Sequence, residues 1–355
     1  MFVELQGGDI FQLLMWTAVA AVGTAIVWKG SGLLEAASER LSLYYRLPEI
    51  VQGAIVVAIG SSFPELATVV VSTLVHGEFE LGVAAIVGSA LFNIMVIPAL
   101  SGLVAKEQLA TNRDLVYKEA QFYMIAVATL LLTFSFAVIY NPVESAGGEL
   151  RGELNRGLAF LPLVLYVVYI FVQYQDTMDY QSDAGVSHIR PGREWGKLAA
   201  GLALILVGVE GLVRAAVNFG DILGTPSFLW GITIVAAGTS IPDAFVSVRA
   251  ARNGKGITST ANVLGSNIFD LLCCIPIGVL IAGTAVINYS VAAPMMAVLT
   301  LATVILFLMM RTHMILSRAE SWILLLIYGI FVAWIAVETF NVTNILVNFP
   351  PADAA

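Results

Sequence analysis

The chain alternates between long stretches of apolar residues and short polar connections. A helix that crosses the hydrocarbon core of a bilayer takes about 20 predominantly apolar residues. Ten stretches are long enough, and the connections between them leave no room for a separate soluble domain. We therefore predict an all-α integral membrane protein with ten transmembrane helices. The predicted spans are 10–36, 48–75, 80–103, 119–140, 157–173, 196–219, 226–250, 257–283, 286–309 and 317–341.

The amino-acid composition excludes a water-soluble protein of this size. Of the 355 residues, 59% are hydrophobic and only 12% are charged, and the mean hydropathy is +0.88. A soluble domain carries about 25% charged residues. The net charge of −8 indicates no partner other than membrane lipid. No nucleic-acid partner is expected, and the oligomeric state is left open.

The lysines and arginines indicate which side of each helix faces the cytoplasm. With the N-terminus outside, only Arg151, Arg156 and Arg214 of the 17 basic residues fall on the outer side. The opposite orientation would invert this ratio. We therefore predict that both termini lie outside, in a protein integral to the plasma or inner membrane.

Two short motifs recur in the two halves of the chain. GSSFPE at 60–65 matches GTSIPD at 238–243, and GSALFN at 88–93 matches GSNIFD at 265–270. Each half contains five predicted spans, so the second half enters the membrane in the opposite orientation. Such inverted repeats place the substrate of many secondary transporters near the midplane. The predicted division is 1–173 for the first repeat, 174–194 for a cytoplasmic linker and 195–355 for the second repeat.

Three acidic residues of the motifs lie well inside predicted spans. An acid in mid-membrane costs about 2.5 kcal/mol or more, and no basic residue is obviously placed to neutralise Glu65, Asp243 or Asp270. Arg214 is expected to pair with Glu210, which lies four residues earlier on the same helix. Bound cations are the remaining way to offset the three charges.

The oxygen-bearing residues of the motifs fall on common helix faces. Serine and acid are three residues apart in the first motif of each half, and serine and Asn or Asp are four apart in the second. Hydroxyl, amide and carboxylate oxygens are hard ligands, which suit Ca²⁺ or Na⁺ better than zinc or copper. The predicted ligands are Ser62, Glu65, Ser89, Asn93, Ser240, Asp243, Ser266 and Asp270.

A proline in each acidic motif interrupts the backbone hydrogen bonding. Pro64 cannot donate to the carbonyl of Gly60, and Pro242 cannot donate to that of Gly238. With a glycine at each of these places the helix can kink or open, and the freed carbonyls become further ligands. These carbonyls are expected at 58–61 and 236–239.

The motif pairs and the ten-span inverted repeat resemble the cation/calcium exchanger superfamily, and in motif they look most like its potassium-dependent sodium/calcium branch. The resemblance implies that Glu65 and Asp243 hold Ca²⁺ and contribute to Na⁺ binding. It also implies hydroxyl and carbonyl ligands at Ser61, Ser62, Thr239 and Ser240, Na⁺ ligands at Ser89 and Ser266, polar groups at Asn93 and Asp270, and backbone carbonyls at Ala58 and Ala236.

The expected function is exchange of Ca²⁺ for Na⁺ by alternating access, without a cofactor or enzymatic activity. Proton-coupled relatives typically read G-N-A-x-E in the equivalent motif, where this chain has hydroxyl residues. Ca²⁺/H⁺ antiport and K⁺-dependent exchange remain alternatives. An intramembrane aspartyl protease would use two acids such as Asp243 and Asp270, but it leaves Glu65 unexplained and lacks a G-x-G-D motif. A passive channel would not require a counter-ion.

Overall fold

The computed structural model describes residues 7–45, 58–106, 108–144, 148–177, 189–340, 342–343 and 345. Within these residues nine helices are long and apolar enough to cross a membrane, and a shorter apolar helix, Phe63–Leu74, occupies the second predicted span. The prediction of an all-α membrane protein with ten helical spans is confirmed. Residues 48–57 of the second span lie outside the described residues.

Several of the ten spans are divided into two helical segments. The spans comprise α1 (Gly7–Tyr44), α2 (Ala58–Ser61) with α3 (Phe63–Leu74), α4 (Phe79–Val104), α5 (Ala120–Tyr140), α6 (Arg156–Thr177), α7 (Pro191–Leu223), α8 (Ser227–Trp230) with α9 (Ala236–Arg252), α10 (Gly256–Phe269) with α11 (Ile275–Ala282), α12 (Tyr289–Arg311) and α13 (Arg318–Thr339). Single π-helical segments lie at Asp114–Glu119, Gly231–Val235 and Asp270–Cys274.

The connection predicted at 174–194 is shorter in the structure. The helix α6 continues to Thr177 and α7 begins at Pro191. Residues 178–188 of the predicted linker lie outside the described residues, so the division into two repeats at this point stays a prediction.

Short strands in the connections form two small antiparallel sheets at opposite ends of α5. At one end β1 (Leu109–Ala110) pairs with β5 (Ile315–Leu316). At the other end β3 (Arg151–Asn155) pairs with β4 (Thr284–Asn288), and β2 (Pro142–Val143) adds to β3. The first pair joins the connections after the third and ninth spans, and the second joins those after the eighth and fourth. One pair becomes the other when the halves are exchanged and inverted, as the inverted repeat requires.

The first helix of each half packs against its counterpart through glycines. A Cβ atom at Gly23 would lie 2.8 Å from the carbonyl oxygen of Gly208, and one at Gly30 would lie 2.9 Å from that of Gly201. A shift of 178 residues converts Gly23 into Gly201 and Gly30 into Gly208. The α1–α7 contact is therefore antiparallel and has the two-fold symmetry of the repeat, with its centre midway between the two glycine pairs.

The helices that carry the motifs lie at the centre of the bundle. In an apolar stretch of 18 residues, 89% of the residues are buried in α4 and 78% in α10–α11, whereas 17% are buried in α1. A helix whose apolar residues are mostly exposed faces lipid. The fold therefore surrounds the motif residues with protein and leaves α1 on the periphery.

Candidate functional site

The predicted site residues converge from both halves of the chain. The break between α2 and α3, the middle of α4, the start of α9 and the junction of α10 with its π-helical turn supply the side chains. Their exposed fractions are at most 4% for Ser61, Ser62, Glu65, Ser89, Asn93, Thr239, Ser240, Asp243, Ser266 and Asp270. Ala236 is also buried, and Ala58 begins α2.

Hydrogen bonds between the halves bring the serine positions of the motifs together. The hydroxyls of Ser89 and Ser240 are 2.7 Å apart. The hydroxyls of Ser61 and Ser266 are 3.4 Å apart, so α2 of the first half contacts α10 of the second half. Ser89 also donates to Oε1 of Glu65 at 3.5 Å. Residues about 150 to 200 positions apart in sequence therefore line one region.

The three acids lie in this region without basic partners. Asp270 and Asp243 are close enough for their charges to repel that of Glu65. Among the ion pairs of the described residues none includes these three acids. Arg214 pairs with Glu210 as predicted. The carboxylates must therefore be neutralised by protons or by cations.

Several buried oxygen atoms at the site lack a hydrogen-bond donor. Within the described part of the chain, Oε2 of Glu65, Oδ1 of Asp243, Oδ2 of Asp270 and Oδ1 of Asn93 have no hydrogen-bond partner. Leaving such an atom buried and unsatisfied costs about 1–3 kcal/mol, and more when it is charged. An unusual concentration of unsatisfied acceptors, with carboxylates among them, fits a cation as the missing partner.

The arrangement requires more than acidic ligands. Among the described residues no three His, Cys, Asp or Glu side chains are close enough to form a metal site by themselves. Any ion at this place would use hydroxyl, amide or carbonyl oxygens as well. Such mixed oxygen coordination is typical of Ca²⁺ and differs from the nitrogen and sulfur ligands of zinc.

The two proline motifs differ in backbone conformation. Ser62 adopts φ −95° and ψ 11° between α2 and α3, and Pro64 lies in the first turn of α3. The predicted break at the first motif is therefore confirmed. Pro242 instead lies inside the continuous helix α9, so the expected opening at 236–239 is not observed.

Hydroxyl groups bond to the backbone in the GTSIPD motif at 238–243. The carbonyl of Ala236 accepts from Ser240 at 2.8 Å and from Thr239 at 3.2 Å. Such bonds to a carbonyl three or four residues earlier are compatible with a helix that remains closed. The irregular backbone of this half lies elsewhere, in the π-helical segments 231–235 and 270–274.

The sequence reasoning missed Asn267, which is fully buried beside the site. Its Oδ1 accepts from the amide of Asn93 at 3.0 Å, and its own amide donates to the carbonyl of Ala90 at 3.2 Å and to the hydroxyl of Tyr123 at 3.3 Å. Asn93 also donates to Asp243 at 3.5 Å. The sequence did contain a signal for this residue. The motif GSALFN has Ala90 at the position where GSNIFD has Asn267, so one half has a methyl group where the other has an amide.

Comparison with known proteins gives one family over most of the chain. The family described as sodium/calcium exchanger protein matches residues 15–175 and 194–337. The sodium/calcium exchanger MaX1 of Methanosarcina acetivorans is 24% identical over 344 residues, which cover 88% of this chain and 96% of that protein. The human sodium/potassium/calcium exchanger 5 is 52% identical over only 54 residues, or 15% of this chain and 11% of that protein. So short a segment supports the likeness in motif and does not identify the ions carried.

A solved structure has the same fold. The sodium-calcium exchanger NCX_Mj, soaked with 2.5 mM Na⁺ and 10 mM Sr²⁺, matches with a TM-score of 0.61 at 23% identity. The match covers 90% of this chain and 99% of that one. The likeness in fold therefore extends over both halves of the protein.

Proposed function

Because the chain belongs to the sodium/calcium exchanger protein family, we propose that it is an antiporter that exchanges Ca²⁺ for Na⁺ at one site near the membrane midplane. Glu65 and Asp243 bind Ca²⁺ and also take part in Na⁺ binding. Asp270 and Asn93 complete the polar shell together with the hydroxyl groups of both halves. Both termini lie outside, as the distribution of basic residues predicts.

The observation that carries this proposal is the set of unsatisfied acceptors. Four buried side-chain oxygens, on Glu65, Asp243, Asp270 and Asn93, lack hydrogen-bond partners in the described part of the chain. They come from both halves and from helices that are hydrogen-bonded to one another. A desolvated cation supplies what each of them lacks, and it compensates the repulsion among the acids.

The charge of the site supports coupled transport. Three carboxylates balance three Na⁺, or one Ca²⁺ together with one monovalent cation. An empty site leaves like charges unscreened in a region of low dielectric constant, which disfavours the movement that would carry it across the membrane. Occupied states move more readily, so one ion is exchanged for another. Alternating access requires only that both ions bind the same site and that each shifts the same equilibrium.

The test is ⁴⁵Ca²⁺ uptake by proteoliposomes that contain the purified protein. Vesicles loaded with Na⁺ and diluted into Na⁺-free medium should accumulate Ca²⁺, and dissipation of the Na⁺ gradient should stop uptake. Glu65→Gln and Asp243→Asn should each abolish it. Asp221→Asn is the matched control, because Asp221 is an exposed acid near the end of α7 and its loss should leave uptake unchanged.

The same vesicles distinguish the alternatives. Uptake driven by a pH gradient and indifferent to Na⁺ would refute Na⁺ coupling in favour of H⁺ coupling. A requirement for K⁺ on the Ca²⁺ side would identify K⁺ cotransport. Ca²⁺ flux that needs no counter-ion would refute antiport.

A further inference from the structure

A row of polar residues on α1 faces the motif helices. Thr24, Ser31 and Glu35 are separated by seven and four residues, so they lie along one side of the helix. If Gly238 carried a Cβ atom, that atom would lie 2.8 Å from the hydroxyl oxygen of Thr24. A Cβ atom placed on Gly60 would lie 3.7 Å from Cα of Glu35. The row therefore runs beside both acidic motifs.

The corresponding side of α7 is apolar. Val209 and Val213 are both fully buried there, so the symmetric fold does not need polar groups for packing at these places. The residues that a shift of 178 places opposite Thr24, Ser31 and Glu35 are Leu202, Val209 and Val213. The polar row belongs to one half only.

Glu35 lies within the depth of the hydrocarbon core. The centre of the α1–α7 contact is midway between Gly23 and Gly30, and Glu35 is eight to nine residues beyond it, or about 13 Å at 1.5 Å per residue. Half of the hydrocarbon thickness is about 15 Å. Glu39, one turn further, is about 19 Å from the centre and is exposed. Glu35 is therefore an acid at membrane depth, where such residues usually have a function.

Two further observations connect this acid to a cation. The hydroxyl of Ser31 is 2% exposed and has no hydrogen-bond partner among the described residues. Asp243 lies on α9, whose Gly238 is beside Thr24 of the same row, and Oδ1 of Asp243 is itself unpartnered among the described residues. No ion pair in the described part of the chain includes Glu35.

We propose that Glu35 is a cation-relay residue on the side of the membrane where α1 ends. It binds Ca²⁺ or Na⁺ that arrives from that side. The ion then contacts the hydroxyl of Ser31 on its way to Asp243. This inference rests on the proposed function of the central site. Val213 occupies the mirror position, so α7 has no carboxylate at the place that corresponds to Glu35. Glu35 therefore makes the two sides of the exchanger unequal in apparent affinity.

The test compares the two sides of the membrane in everted and right-side-out vesicles from expressing cells. Ca²⁺–Ca²⁺ self-exchange is measured with ⁴⁵Ca²⁺, because it requires neither a Na⁺ nor a pH gradient. Glu35→Gln should raise the half-saturating Ca²⁺ concentration about tenfold on the α1 C-terminal side, which corresponds to about 1.4 kcal/mol. The value on the other side and the maximal rate should not change. Glu35→Asp, which keeps the charge, should restore most of the affinity.

Glu39→Gln is the matched control. It removes the same charge one turn further along α1, where the side chain is exposed, and it should leave both sides unchanged. An equal effect of Glu39→Gln would attribute the result to general surface charge and overturn the relay. So would an equal effect of Glu35→Gln on both sides. Retention of side-specific self-exchange without any Na⁺-driven uptake would support the relay while refuting Na⁺ coupling. Absence of Ca²⁺ exchange by the native protein would overturn both.

Discussion

The mirror-related glycines Gly88 and Gly265 should respond in opposite ways to replacement by alanine. A Cβ atom at Gly88 on α4 would lie 2.8 Å from Cβ of Ala236 and 2.8 Å from the carbonyl carbon of Ile232. The same addition at Gly265 on α10 meets nothing within 4 Å. Gly-Ser begins the motif at both places, so the difference between the two glycines comes from how the helices pack.

The expected size of the effect follows from these distances. Carbon atoms pack best at about 3.5–4.0 Å. Gly88→Ala should therefore move α4 about 1 Å away from residues 232–236. Overpacking of this kind costs about 1–3 kcal/mol. The neighbouring hydroxyls of Ser89 and Ser240, now 2.7 Å apart, would separate to about 3.7 Å, beyond hydrogen-bonding distance. Gly265→Ala should instead stabilise its helix by about 0.5–1 kcal/mol.

Two assays measure the outcome. The fraction of protein that remains monodisperse after heating in detergent reports stability, and ⁴⁵Ca²⁺ uptake in proteoliposomes reports the site. Gly88→Ala should lower the midpoint temperature by several degrees and raise the half-saturating Ca²⁺ concentration about tenfold. Gly265→Ala should keep the affinity and slightly raise the midpoint. If both variants behaved alike, the close contact of α4 with residues 232–236 would be refuted.

Two further changes test the asymmetry of the site. Asp270→Asn should change the site charge from −3 to −2. The Na⁺ concentration for half-maximal Ca²⁺ release should then rise about tenfold, and the Hill coefficient for Na⁺ should fall. An unchanged Na⁺ titration would exclude Asp270 from Na⁺ binding. Asn267→Ala should weaken equilibrium ⁴⁵Ca²⁺ binding about tenfold or more, because the Asn93 amide loses its 3.0 Å partner at a cost of about 1–3 kcal/mol. Ala90→Gly is its control, because it leaves in place the backbone carbonyl that accepts from the Asn267 amide. Equal binding by both variants would contradict this role.

The one-dimensional features of this protein were predictable from its sequence. The spans could be located because each must contain a continuous apolar run long enough to cross the lipid. The repeat was visible because glycine, proline, serine and acid recur in register, and its odd number of spans per half dictates the inversion. Glu65, Asp243 and Asp270 stood out because an acid in an apolar helix is costly. The break at Ser62 followed from Pro64, since a proline removes a helical hydrogen bond wherever it lies.

Only the tertiary structure decided which partners these residues have. Pro242 has the same local chemistry as Pro64, yet its helix continues, with the backbone irregularity displaced to 231–235 and 270–274. The roles of Asn267 and Glu35 depend on which helix lies beside each of them. Repeated sequence gives both halves the same local preferences, but the contacts between the halves involve side chains that differ. Packing between distant segments therefore determined how two repeats with matching motifs form an asymmetric site.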